Sequence, residues 1–580
     1  MRRTACDVTE CKPYIWPREG ETGGPRPIKE ETMRTLTSLF VAALAAALAA
    51  CNDGSGGSSS MNDGSNTPGS LQWNPPLRIA TLTAADFTAQ LNATPSGQQL
   101  LALVSTGTPT PGALPCGVDF YYIQYGTVDG GNGAAGAANV VSSTNASGAL
   151  MVPTGAAPAC SVQRPVLLYA HATQFNRAAN MADITNPNNT EGALIAAMFA
   201  AYGYIVVAPN YAGYDSSPLT YHPFLNAAQQ SHEMIDALTA ARTALGSIPT
   251  TTASTKLFVS GYSEGGHVAM ATMRALQAAS IPYTAAAPMS GPYALEATGD
   301  AIFGGQVNLG STVFGPLLST SYQRAYGNFY QSPTDASNIY AAPYAATIDA
   351  ILPSNTPLAT LFQQGKLPQT AAFSSTPPTT NGAIPQLDAF FVANTPPTTP
   401  PAQAPLFALG FAATGFLTQN SWRLAYMEDV FGNPDGALTT PPTAGVPRAA
   451  VPPTQPARLA LYTNDLRTAW APNAATLLCG GNADPTIYFS VNALTMQAYW
   501  AGVLPPNALT VLDVDSAPTG PSDPFAAAKV GFAGAKQATA QAAINAGATD
   551  GGAAAVTQAY HGTLVPPFCA AAVRGFFSQF

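Results

Sequence analysis

The stretch best suited to chemistry is Gly261-Tyr262-Ser263-Glu264-Gly265-Gly266, directly after the apolar run LFVS at 257–260. A serine with glycines two residues before and two after fits a sharp strand-to-helix turn, the G-x-S-x-G elbow. The glycines have a mechanical purpose, because a Cβ at Gly261 or Gly265 would collide with a neighbouring strand or helix. The turn is expected to hold Ser263 in strained backbone geometry with its Oγ exposed. The helix that begins there points its N-terminal dipole at a developing oxyanion. A serine hydroxyl is a weak nucleophile alone and needs a base, which in turn needs an acid to orient it. His561 is the single histidine after the elbow helix; His171, His222 and His232 precede the elbow, and His267 lies on the helix behind it. Those four read as surface or core residues. The acid candidates are Asp484, in a Gly-Asn loop after ATLLCG, and Asp465, Asp513 and Asp515. Asp465 reads as a helix start, and the last two end the next strand. No CxxC pair occurs and the five histidines are scattered, so neither a metal nor a cofactor is expected.

The elements that must position these residues follow from periodicity. Residues 118–126 (VDFYYIQYG) read as a strand, with 147–153 as its hairpin partner. Short apolar runs at 166–170, 205–208, 257–260 and 285–288 then alternate with helical patterns at 191–202, 226–245 and 263–278. Such alternation predicts an α/β fold, a mostly parallel sheet with helices on both faces. The rhythm is lost from 296 to 456, where Pro/Thr clusters separate apolar pieces such as LFALGFAATGFL at 406–417, read as helical. It returns at 475–480 and 509–514. The expected organisation is a core at 76–295 and 457–580, interrupted by a lid or cap insertion at 296–456.

Together, GYSEGG, the preceding GYIVVAPNYAGYD (203–215), YAHATQ (169–174), CGGNADPT (479–486) and YHGTLVPPFC (560–569) resemble the α/β-hydrolase superfamily. The likeness is to secreted lipases and carboxylesterases; it covers about 118–295 and 457–580 and leaves the insertion uncovered. It implies catalytic residues in the order Ser263, Asp484, His561, with His561 on a loop near the C-terminus. It implies an oxyanion hole from the backbone N–H of Glu264 and one from the loop after VLLYA. Where relatives carry His-Gly-x this chain has His171-Ala172-Thr173, and Thr173 is the expected donor rather than Ala172.

The chain has 580 residues, a formal net charge of −9, 47% apolar and only 9% charged residues. This composition excludes a disordered chain and argues against a nucleic-acid partner, which needs a basic face. Residues 36–50 form an apolar run ending at Leu48-Ala49-Ala50-Cys51, the pattern of an export signal and of a lipoprotein cleavage site. The run is shorter than the ~20 residues a membrane-crossing helix needs. Residues 1–50 are therefore expected to be an upstream extension plus signal, with Met33 the expected start, and Cys51 the lipidated first mature residue. The Gly/Ser-rich 51–75 reads as a flexible tether. Asn52 after the cysteine implies an outer-membrane anchor rather than inner-membrane retention. Four cysteines remain in the body, and an even number in an exported protein suggests two disulfides. Of three connectivities, Cys116–Cys160 with Cys479–Cys569 is the expected one. The expected function is cleavage of carboxylic esters with apolar acyl or polyester-like parts. The alternatives are a serine peptidase of the same fold and a catalytically silent surface-binding lipoprotein.

Overall fold

The computed structural model describes residues 66–105, 111–131, 142–249, 251–400, 402–435 and 448–580. The signal segment, Cys51 and most of the tether lie outside them.

Among the described residues nine strands build one sheet: β1 (Leu77–Leu82), β2 (Gly117–Val128), β3 (Ser143–Thr154), β4 (Arg164–Ala170), β5 (Ile205–Pro209), β6 (Ala253–Tyr262), β7 (Ala285–Met289), β8 (Ala475–Gly480) and β9 (Leu509–Asp513). Their order is β1-β2-β3-β5-β4-β6-β7-β8-β9. The first three strands run as an antiparallel meander onto β5, and all pairs from β5 through β9 are parallel. The short continuous apolar runs become central parallel strands because both faces are covered. Along β4, Val166, Leu168 and Ala170 pack on one face with helices α2 (Ala227–Leu245) and α3 (Glu264–Ala278), while Leu167 and Tyr169 pack on the other. That second face is covered by α1 (Thr190–Met198) and the C-terminal α8 (Val565–Phe577). Asn226 caps α2 by accepting from the Gln229 N–H. β1 is absent from the sequence reading, since an exposed edge strand carries no buried run or clean alternation.

Chain order reverses at β4: the next strand, β5, lies on one side of it and β6 on the other. Loops leaving adjacent strands at such a switch point diverge and leave a crevice, the usual place for a ligand. The turn after β6 and the loop after β4 both open there.

The connection from β7 to β8 carries α4 (Leu295–Phe303), α5 (Ser311–Tyr326), α6 (Asn420–Gly432) and α7 (Pro456–Asn464). It supplies most of an apolar cluster that includes Leu317, Tyr322, Phe391, Tyr426 and Leu461 and that also takes in Phe224 and Leu225 from the segment after β5. Two expectations within it need correction. Residues 406–417 are not a helical piece: the helix spans only Ala404–Ala408, and Phe411–Ala412 pair with Phe373–Ser374. Gly410 breaks the helix where its backbone meets Val307, leaving no room for a Cβ. Asp465 does not start a helix but ends α7, its carboxylate accepting from the Glu296 and Arg467 N–H groups.

Low overall charge also conceals a buried ionic cluster at the root of this connection. Arg458 of α7 makes two bonds to Asp300 at 3.0 Å and one to Asp429 at 2.9 Å, with Glu296 at 3.3 Å. Arg467 joins Asp435 and Asp465. Disulfides link Cys116 to Cys160 and Cys479 to Cys569, as expected.

Candidate active site

Ser263 stands between β6 and α3 with φ 58° and ψ −120°, a region that non-glycine residues enter only under constraint. The constraint is steric. A Cβ on Gly261 would lie 2.2 Å from the Gly265 carbonyl oxygen, and one on Gly265 would lie 2.0 Å from that of Ala170. With both positions bare, the chain reverses tightly against β4, and the Ser263 N–H donates to Met289 O at 3.0 Å.

Residues far apart in sequence meet at this turn. His561 Nε2 is 2.8 Å from Ser263 Oγ, and His561 Nδ1 is 2.7 Å from Asp484 Oδ2. Asp484 Oδ1 accepts from the N–H groups of Thr486 and Ile487 at 2.9 and 3.0 Å, which leaves Oδ2 for the imidazole. A ring whose Nδ1–H is taken by a carboxylate keeps its Nε2 lone pair for a hydroxyl proton. Tyr262, beside the serine, donates its phenol to the His561 carbonyl and lies with its ring 5.2 Å from the imidazole. His561 is not on a loop: Tyr560–Leu564 form a π-helical turn leading into α8. The wider turn departs from the 3.6-residue period of its flanks and is a frequent device at functional sites. The Cys479–Cys569 bridge ties β8, just before the Asp484 turn, to α8, just after His561. Asp513 and Asp515 bind other partners, Asn482 and Lys536.

Of the two expected oxyanion donors, Glu264 is the first residue of α3, so its N–H has no acceptor within the helix. Both Glu264 and Thr173 line the cavity that Ser263 opens into. Ala172 is excluded as a donor, because its N–H is held by both oxygens of Glu191 at 3.0 and 3.1 Å. Thr173 N–H meets no acceptor among the described residues.

Sequence reasoning assigned nothing to Glu191 and placed His171 and His222 in the background. Both histidines are core residues, one of the two places the sequence left open, but each touches one arm of the site. His222 Nε2 is 2.6 Å from Glu264 Oε1, which Gln230 also reaches at 2.7 Å. Burial works against charge on His222, yet the Glu264 carboxylate outweighs it and holds the imidazole above its usual range. Burial likewise opposes ionisation of Glu264, but His222 pulls its carboxyl below the ordinary value. The two form a buried ion pair. A signal was available: in a chain with so few charges, a glutamate next to the serine invites a search for its partner. His232 is exposed, and burial depresses His267 to about 4.

The cavity, about 170 Å³, runs from Ser263 into the β7–β8 connection. Its walls are chiefly apolar and include Leu295, Ile302, Phe314, Leu318, Phe373 and Leu417. Phe411 is not among them; it is half-buried behind Phe373, with ring centroids 6.0 Å apart.

No family model and no curated protein matches the chain. Solved structures do. The ligand-bound rice cell wall degrading esterase LipA from Xanthomonas oryzae aligns with a TM-score of 0.58 at 22% identity, covering 89% of this chain and 100% of that one. Another LipA structure aligns with a TM-score of 0.55 at 24% identity over 80% and 94%. A candidate hydrolase from Legionella pneumophila subsp. pneumophila aligns with a TM-score of 0.52 at 18% identity over 76% and 90%. The chain has the α/β-hydrolase fold.

Proposed function

We propose that this protein is a serine hydrolase that cleaves carboxylic esters with apolar acyl groups. The observation that carries the reading is the hydrogen-bonded chain Ser263–His561–Asp484 at the mouth of an apolar cavity. In the proposed reaction Ser263 Oγ attacks the ester carbonyl while its proton passes to His561 Nε2, and Asp484 stabilises the imidazolium. The N–H groups of Glu264 and Thr173 receive the charge on the carbonyl oxygen. The C–O bond then breaks, His561 returns the proton to the leaving alkoxide, and an acyl-enzyme remains. Water repeats the cycle, losing its proton to His561, and the acid is released. Esterase activity of the rice cell wall degrading LipA is consistent with this reading.

The segment 296–456 is proposed to be the acyl-binding cover, since its residues supply most of the cavity walls. Each acyl CH₂ buried there contributes about 0.8 kcal/mol, roughly fourfold in kcat/KM. A series of p-nitrophenyl esters should therefore show kcat/KM rising from acetate to longer chains until the cavity is full. Phe314→Ala should flatten that rise and spare acetate. If acetate is already the best ester, or Phe314→Ala changes every ester alike, the cover has no part in acyl selection.

Export and a lipid anchor belong to the same proposal, supported by the two disulfides, which suit an oxidising compartment. Cys51→Ser should shift the protein from the membrane fraction to the soluble fraction. A variant that stays membrane-bound would overturn the anchor.

A further inference from the structure

Two buried histidine–glutamate sets stand behind the site without taking part in the proton transfers. His171 donates from Nδ1 to the Ala172 carbonyl at 2.6 Å, and its Nε2 lies 3.1 Å from Asn210 O. In a planar trans peptide the N–H points opposite to the C=O. Holding Ala172 O toward His171 therefore turns the Thr173 N–H the other way. Glu191 fixes the preceding peptide through the Ala172 N–H and is itself bonded by the Tyr169 hydroxyl at 2.8 Å. On the second arm, His222 and Gln230 hold the Glu264 side chain at the head of α3. Tyr211 lies between the sets, its ring stacked 4.1 Å from His171 and 5.5 Å from His222, with its hydroxyl bonded to His171 O. All five side chains are buried or nearly so. Apolar residues would fill this volume without the cost of desolvating charges and polar groups. A structural role alone gives no reason to keep them.

We infer that His171 with Glu191, and His222 with Glu264, are positioning residues that aim the Thr173 and Glu264 N–H groups, and that Tyr211 couples the two arms. The inference rests on the serine-hydrolase reading above.

The test compares His171→Phe and Glu264→Gln with the parent. Phenylalanine keeps the stack on Tyr211 and loses the donor to Ala172 O; glutamine keeps the shape of Glu264 and loses its charge. Three quantities are measured: kcat and KM for a p-nitrophenyl ester, the Ki of a trifluoromethyl ketone that forms a tetrahedral adduct, and the count of competent serines by fluorophosphonate titration. Misaimed donors weaken the transition state and the adduct together. His171→Phe should thus lower kcat about 10- to 100-fold and raise Ki by a similar factor. KM should stay within twofold, and the serine count should be unchanged. Glu264→Gln should move kcat and Ki the same way by less. If His171→Phe does not fold, Glu191→Gln, which retains one acceptor for Ala172, should show the same paired loss. A fall in serine count with Ki unchanged would mean a purely structural role and overturn the inference. So would folded variants with kcat and Ki within twofold of the parent. A parent that takes no fluorophosphonate label would overturn the hydrolase reading and this inference with it.

Discussion

Replacing Ser263 by alanine should lower ester hydrolysis by about ten thousand- to a million-fold while leaving the fold intact. The size of the loss follows from the role: among the described residues no other hydroxyl lies within hydrogen-bond reach of His561 Nε2, so removal of Oγ ends acyl-enzyme formation. Stability should not change, because Ser263 Oγ has His561 as its side-chain partner and the strained φ is set by the glycine contacts around it. Alanine occupies that geometry at the cost serine already meets. The check pairs steady-state kinetics with thermal unfolding. A variant within tenfold of the parent would dismiss Ser263 as the nucleophile.

Replacing Arg458 by alanine should cost about 3–5 kcal/mol of stability, the range for removing one partner from a buried ionic group. Arg458 is fully buried and faces Glu296, Asp300 and Asp429. Burial first, and then neighbouring carboxylates, already push Glu296 up to about 8 and Asp300 up to about 6 against the pull of Arg458. Without the guanidinium both must rise further. A carboxyl whose folded value exceeds its unfolded value costs nothing below the unfolded value, where both states hold the proton. As pH climbs from there to the folded value, the folded state must keep a proton that the unfolded chain has released, so stability falls. The deficit of Arg458→Ala should accordingly be larger at pH 8 than at pH 5 in denaturant titrations. Arg458→Lys should recover only part of it, since an ammonium cannot reproduce the two-pronged contact with Asp300. A loss below 1 kcal/mol at pH 8 would show that the cluster carries no stability.

Residues that serve a local backbone demand could be read directly. Gly261, Ser263 and Gly265 answer to one turn, and VLLYA, IVVA and LFVS answer to burial on two faces of a sheet, so both left marks among adjacent residues. The pairing of Cys479 with Cys569 was legible for a similar reason, because each cysteine adjoins a segment that the Ser–acid–His order already brings together. The π-helical turn at His561 left no mark, since one extra residue in a turn alters geometry without altering residue types. Contacts through space left none either. Glu191 reaches Ala172 only because the connection from β4 to β5 folds back on itself, and His222 reaches Glu264 only because the loop after β5 crosses the end of β4 to meet α3. The two arginines and five acids of the buried cluster come from three separate stretches, 296–300, 429–435 and 458–467, and nothing in their spacing distinguishes them from a solvated surface. The cavity walls show the same division: composition alone marked 296–456 as apolar cover, yet Phe314 faces the cavity while Phe411 stands behind Phe373. Sequence by itself determined the buried strands of the sheet, the elbow and the residue types for the chemistry, because these depend on neighbours along the chain. The tertiary structure alone decided which buried partners surround them, because pairing energy depends on distance in space and imposes no periodicity on the chain.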